Sequence, residues 1–203
     1  MYGYTYPQSY YKRNFQEAYT IPKWIYISLK SKFPQYSELI KSENITIMKM
    51  NLKHTREFQL AVILNLQGLT GIFILYDNVN GIYEQVYEKR GLITAVQINW
   101  DTNLIITVRL GGGTGYWIDQ YYAIRFTSKG WKEVWSDYAQ YVKVLPEIES
   151  GVQIIGTVSF DTPDYLAYSI LKRTNFTGPS QAPVNTQCFF KFYRFNYASN
   201  SFM

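Results

Sequence analysis

Several side chains in this sequence have the right types to do chemistry. Asp119, Glu133 and Asp137 cluster around one candidate hairpin, and Asp161 and Asp164 flank Pro163. A glycoside hydrolase needs two carboxyl groups facing each other across a cleft, one as acid and one as base or nucleophile. Trp117, Tyr121, Tyr122, Trp131 and Trp135 lie close enough in sequence to serve as stacking platforms for a sugar. Each acid also has a plainer role as a turn cap or a solvated face. His54 and Cys188 are the only histidine and cysteine, too few for a structural zinc site of about four ligands. Cys188 sits in TQCFFKFYRF, which reads as a buried strand with the thiol as a small core residue. His54 falls in a polar turn. Neither arrangement makes a nucleophile with its base. Gly111, Gly112, Gly113 and Gly115 lack the Lys and Ser/Thr that complete a phosphate loop, because Tyr116 and Trp117 follow them. They read as bend residues. No metal, cofactor or catalytic residue is expected.

A binding surface is the stronger candidate. Trp131, Glu133 and Trp135 alternate, so on a regular strand all three project from one face. The favoured reading packs both tryptophans in the core, and Glu133 would then need a partner such as Arg109 or Arg125. Exposed, the three would make a binding patch, with Trp117 and Tyr121 as neighbours on the same hairpin.

The elements that must position these side chains are read as strands. Aromatic residues make up 18% of the chain, with 20 Tyr and 12 Phe, and 47% is apolar. Aromatic and β-branched residues suit a pleated surface. The expected organisation is a flexible Tyr-rich arm over 1–14, a partly helical segment over 15–42 and an antiparallel β domain over 43–203. In the second segment Pro22 suits a first helical turn, Trp24, Ile25, Ile27 and Leu29 give a partial helical stripe, and Pro34 interrupts it. From Glu43 onward the apolar period is two. Asn80-Gly81 is a hairpin signal, and Lys172 to Asn185, with its glycine and two prolines, reads as a loop.

Three stretches share a layout of strand, short turn, apolar strand and bend. Their apolar strands start near Leu60, Leu104 and Val152, spacings that suit four-stranded repeat units. The stretch Leu104–Leu110, Gly111–Gly115, Tyr121–Phe126 and Gly130–Trp135 resembles a blade of bacterial β-propeller-type proteins of the FG-GAP-like or VCBS-like kind. The resemblance implies an array of antiparallel four-stranded sheets used for binding, outside the cell in many members. Three to four units form a partial or small propeller-like array; a twisted β-sandwich or barrel is the alternative. The calcium turns of that family are acidic runs. The nearest counterpart here, Asp77, Asn78, Asn80 and Gly81, has one acid.

The fold class is therefore all-β, and the function expected first is a non-catalytic binding or structural module for protein or carbohydrate. A carbohydrate-active hydrolase with a carboxylate pair in an aromatic cleft is the alternative. The net charge of +5 adds a third reading, because the basic excess is confined to the first 60 residues. Lys23, Lys30, Lys32, Lys41, Lys49, Lys53 and Arg56 then make contact with a membrane surface or acidic polymer. No dense basic block or reader motif points to sequence-specific nucleic acid. The sequence shows no signal peptide and no apolar run long enough to span a membrane, so a cytoplasmic location is the default expectation.

Overall fold

The computed structural model describes residues 21–99, 102–113, 115–145, 150–174 and 185–203. The expected arm over 1–14 and the centre of the expected 172–185 loop lie outside them. Helix α1 (Lys23–Lys32) begins behind Pro22, whose carbonyl accepts the Ile25 N–H at 3.0 Å. Ile25 and Leu29, four residues apart, share its buried face. It stops at Phe33, where the ring of Pro34 disfavours helical backbone for the preceding residue. A 3-10 turn over Pro34–Leu39 leads toward the sheets.

The strands run in simple antiparallel succession. β1 (Ile45–Met50), β2 (Gln59–Asn65), β3 (Gly71–Val79) and β4 (Ile82–Arg90) form one sheet in chain order. β5 (Leu92–Asn99), β6 (Asn103–Gly113), β7 (Tyr116–Thr127), β8 (Gly130–Leu145), β9 (Ser150–Thr162), β10 (Tyr165–Thr174), β11 (Asn185–Asn196) and β12 (Ser201–Phe202) form the second, also in chain order. Neither sheet closes into a barrel. Asn80 and Gly81 both have positive φ, as a two-residue hairpin turn of this hand requires.

Alternation along the strands sorts the core into three layers of contact. On β3, Ile72, Ile74 and Tyr76 point to α1 and pack with Ile25, Leu29 and Phe33. Phe73 and Leu75 point the other way and meet Leu104, Ile106, Val108 and Ile124 of the second sheet. On the far side of β6–β8, Ile105, Ala123, Val134 and Trp135 pack with Leu166, Tyr168, Phe195 and Phe202. The second sheet therefore folds over on itself. β8 pairs with β7 from Gly130 to Lys143 but with β9 only from Gln140 to Leu145. That short overlap is the crease.

The glycines after β6 are not a bend. Gly111, Gly112 and Gly113 continue β6 and pair with Ile118, Trp117 and Tyr116; Gly115 alone has positive φ among the described glycines there. Their use is close approach: a Cβ on Gly111 would lie 2.9 Å from the Tyr116 ring. Cys188 lies exposed on β11 rather than in the core as expected. The repeat layout shifts in its last copy. Leu60 and Leu104 lie on β2 and β6, the second strands of their sheets, but Val152 lies on β9, immediately after the crease.

Gly156 of β9 faces the crease. Tyr121 donates to its carbonyl at 3.3 Å and Tyr168 donates to the Tyr138 carbonyl at 2.6 Å beside it. A Cβ there would overlap the Tyr138 carbonyl and the Tyr168 hydroxyl. Gly156→Ala is expected to cost about 3 kcal/mol or more in urea unfolding, at the top of the overpacking range. Gly113→Ala, whose Cβ meets nothing within 4 Å, is the control and should stay within about 0.5 kcal/mol.

Candidate functional site

The five aromatic and acidic residues expected to bind do not share one surface, and the reason is a bulge. β7 and β8 shift register so that Ala123 faces Trp135 while Ile124 faces Glu133, leaving Val134 as an extra residue. Side chains before and after it change phase. Trp131 and Glu133 turn toward the first sheet, and Val134 and Trp135 turn toward β9–β12. Trp131 packs on the core between the sheets, and its indole N–H donates to Asp77 at 2.9 Å. Glu133 is exposed, yet it takes an ion pair from Lys89 at 3.0 Å and a hydrogen bond from Tyr87 at 3.1 Å. Burial, with the Glu133 charge beside it, pushes the Tyr87 hydroxyl pKa upward. Trp135 is buried edge-on against Tyr168 at 5.3 Å. Tyr121 packs on that same core, stacked on Trp135 at 6.5 Å.

Trp117 borders a groove. The Arg109 guanidinium lies 3.7 Å from its ring centre, and both donate to Asp119. With Gly113, Gly115, Tyr116, Gln140 and Val142 it lines an open groove of ≈ 310 Å³. The expected partners of Glu133 are committed elsewhere: Arg109 to Asp119, and Arg125 to Asp164 at 2.8 Å.

Asp161 is exposed, while Asp137 and Asp164 are engaged. Asp137 faces Lys191 at 3.7 Å and accepts from Tyr168 at 3.3 Å. Asp164 accepts from Arg125 and from Tyr197 at 2.7 Å. Burial works to raise the Asp164 pKa, but those hydrogen bonds and the Arg125 and Arg194 charges outweigh it and hold it below its ordinary value. His54 is exposed in its loop. Among the described residues no group of three or more His, Cys, Asp or Glu side chains stands ready to hold a metal. Asp77, first letter of the nearest calcium-like turn, is a buried strand residue. It takes Lys53 at 2.9 Å, Gln59 at 3.0 Å and Trp131, and so is held by donors from the protein itself. Of the basic residues in the first part of the chain, Lys53 is thus spent internally and Lys32 is paired with Glu88. Lys23, Lys30, Lys41, Lys49 and Arg56 are exposed. Among the described residues no helix is long and apolar enough to cross a membrane.

The surface that sequence reasoning missed is on β11. Phe190 and Phe192 are 70% and 79% exposed, and Phe189 is 45% exposed. β10 fixes their directions. Leu166 and Tyr168 face the core, so their partners Tyr193 and Lys191 share that face. Ala167 and Ser169 face away, and so do Phe192 and Phe190 opposite them. On the same outer face stands Tyr165, opposite Arg194 and 5.7 Å from its guanidinium. The groove beside it, ≈ 340 Å³, is lined by Asp164, Tyr165, Arg194, Phe195, Tyr197 and Met203. The one signal in the sequence was that TQCFFKFYRF is apolar at both parities, more than a strand with one buried face needs.

The chain matches no protein-family model, and no curated protein or solved structure matches it. The site must therefore be read from its own chemistry.

Asp77 also sets an acid limit on the fold. Burial pushes its pKa up, but the hydrogen bonds from Trp131, Lys53 and Gln59 and the Lys53 charge prevail and leave it lowered from 3.8. A carboxylate depressed in the folded state adds stability that is full above the ordinary value and lost as the pH falls through the depressed one. Stability should therefore hold near neutral pH and decline below about pH 4. Asp77→Ala should cost about 3–5 kcal/mol at pH 7 by stranding Lys53 and Trp131, and should flatten that decline. Urea titrations from pH 2.5 to 7 measure both.

Proposed function

We propose that this chain is a non-catalytic binding module that recognises protein, built from propeller-like four-stranded units stacked face to face. The observation that carries the reading is the aromatic outer face of β11. Monomeric proteins seldom hold clustered phenylalanine rings in water without a use for them, and aromatic residues are enriched where partners dock. The stacked arrangement supports the repeat reading: β1–β4, β5–β8 and β9–β12 each present a face to the next. The outer face of the first unit is covered by α1. The ion pairs on Asp119, Glu133, Asp137 and Asp164 favour binding over hydrolysis, because a carboxylate tied to a cation is a poor general acid.

Carbohydrate is the second reading, favoured by the groove at Tyr116 and Trp117. Sugars stack on flat aromatic faces with polar groups at the rim, and Gln140 lies there. The two readings part experimentally. An apolar dye, anilinonaphthalene sulfonate, should bind the intact protein, and Phe190→Ser with Phe192→Ser should weaken it at least fivefold. The melting temperature should move by no more than about 2 °C, as expected for exposed sites. Unchanged dye binding, together with a glycan-array signal that Trp117→Ala removes, would replace protein by carbohydrate as the ligand.

A further inference from the structure

The free edge of β11 has a specific geometry. Phe195 N–H donates to the Asp164 carbonyl at 2.8 Å, so the odd-numbered residues of β11 spend their backbone groups on β10. The even-numbered ones point the other way. Arg194 shows this, exchanging two hydrogen bonds with Met203 at 3.0 and 3.1 Å. Among the described residues β12 covers that edge only at Phe195 and Asn196, with Met203 on Arg194. Thr186, Cys188, Phe190 and Phe192 therefore present backbone N–H and C=O groups along an edge that no other described strand covers.

The other edges are blunted by the devices that prevent strand addition. β4 carries Glu84, Glu88, Lys89 and Arg90 and an extra residue at Val86. β5 is tied to the first sheet by the Asn65 amide, which donates to the Ile93 carbonyl at 2.8 Å and accepts its N–H at 2.9 Å. β1 has six residues, with Lys49 among them. β11 is long, keeps an even register with β10 and is aromatic.

We propose that β11 pairs antiparallel with β11 of a second copy of this chain, joining the two second sheets into one across a two-fold axis at Phe189. This rests on the protein-binding reading and names the partner. One register uses all four open positions: Thr186 opposite Phe192, and Cys188 opposite Phe190. In it Phe189 meets its own copy on the inner face, and Lys191 lies opposite Gln187 rather than another cation. The register that would set Thr186 opposite Arg194 loses a pair, because Arg194 is already bonded to Met203. The pairing is isologous, so it satisfies both edges and leaves none for further addition. Six phenylalanine rings, at about 150–250 Å² each when buried, supply several hundred Å² toward the roughly 1,200 Å² of a small stable interface.

The register places the two Cys188 residues diagonally, with Cα atoms about 7–8 Å apart. That is too far for a disulfide and within reach of a short bismaleimide. At about 100 µM, the intact protein should sediment at twice the chain mass, and the bismaleimide should give a covalent dimer through its single cysteine. Phe190→Pro removes an N–H that points away from β10, so the fold survives and both signals vanish. Phe190→Lys, which keeps the N–H and places two cations near the axis, should also be monomeric if the proline variant misfolds. A monomeric intact protein, or a dimer that persists in both variants, overturns the pairing. Monomer that still binds the apolar dye through Phe190 and Phe192 leaves the protein-binding reading standing; monomer that binds no dye removes both.

Discussion

The extra residue at Val134 decides how this protein is put together. β8 borders two cores at once, and a regular strand cannot send Trp131 and Trp135, both odd-numbered, into opposite layers. One added residue does so. Trp131 then closes the space between the two sheets and reaches Asp77, while Trp135 fills the space under β9–β12. A second register shift, between Asp119 and Gln120 where they face β8, precedes the crease at which β8 turns from β7 to β9. Bulges bend and twist the strand that carries them, and here the bending lets a single meander stack upon itself.

Once both faces of β6–β8 are buried, the middle of the molecule has little left with which to bind. Trp131 and Trp135 are packed, Asp119, Glu133 and Asp137 are paired, and the Trp131 N–H to Asp77, itself held by Gln59 and Lys53, forms a polar link between the sheets. Such a link is costly to break and fixes one arrangement of the layers. On the proposed reading, recognition falls to the ends of the stack. One end carries α1; the other carries β11, where Phe190 and Phe192 stand in water.

Much of the fold was legible in the sequence. Period-two alternation located the strands, Asn80-Gly81 located a hairpin, and Pro22 and Pro34 bracketed the helix, because each acts through local backbone geometry. What failed depended on distant partners. Trp131, Glu133 and Trp135 alternate in the sequence, and nothing nearby announces the bulge that splits them. Cys188 looked buried because its neighbours are apolar, but an outer strand with no covering layer exposes the same letters. The three glycines of β6 looked like a bend; they are instead a flat stretch across which Tyr116 and Trp117 lie.

The inner layers are closed, and on the proposed reading binding is left to one open edge. Residue-resolved amide hydrogen exchange tests it most directly, at a dilution where the protein sediments as a monomer. Amides of β6 and β7, and of Gln187, Phe189, Lys191 and Tyr193, should exchange slowly. Those of Thr186, Cys188, Phe190 and Phe192 should exchange at rates close to an unprotected chain. Uniform protection along β11 in the monomer, with no alternation between odd and even residues, would contradict the account.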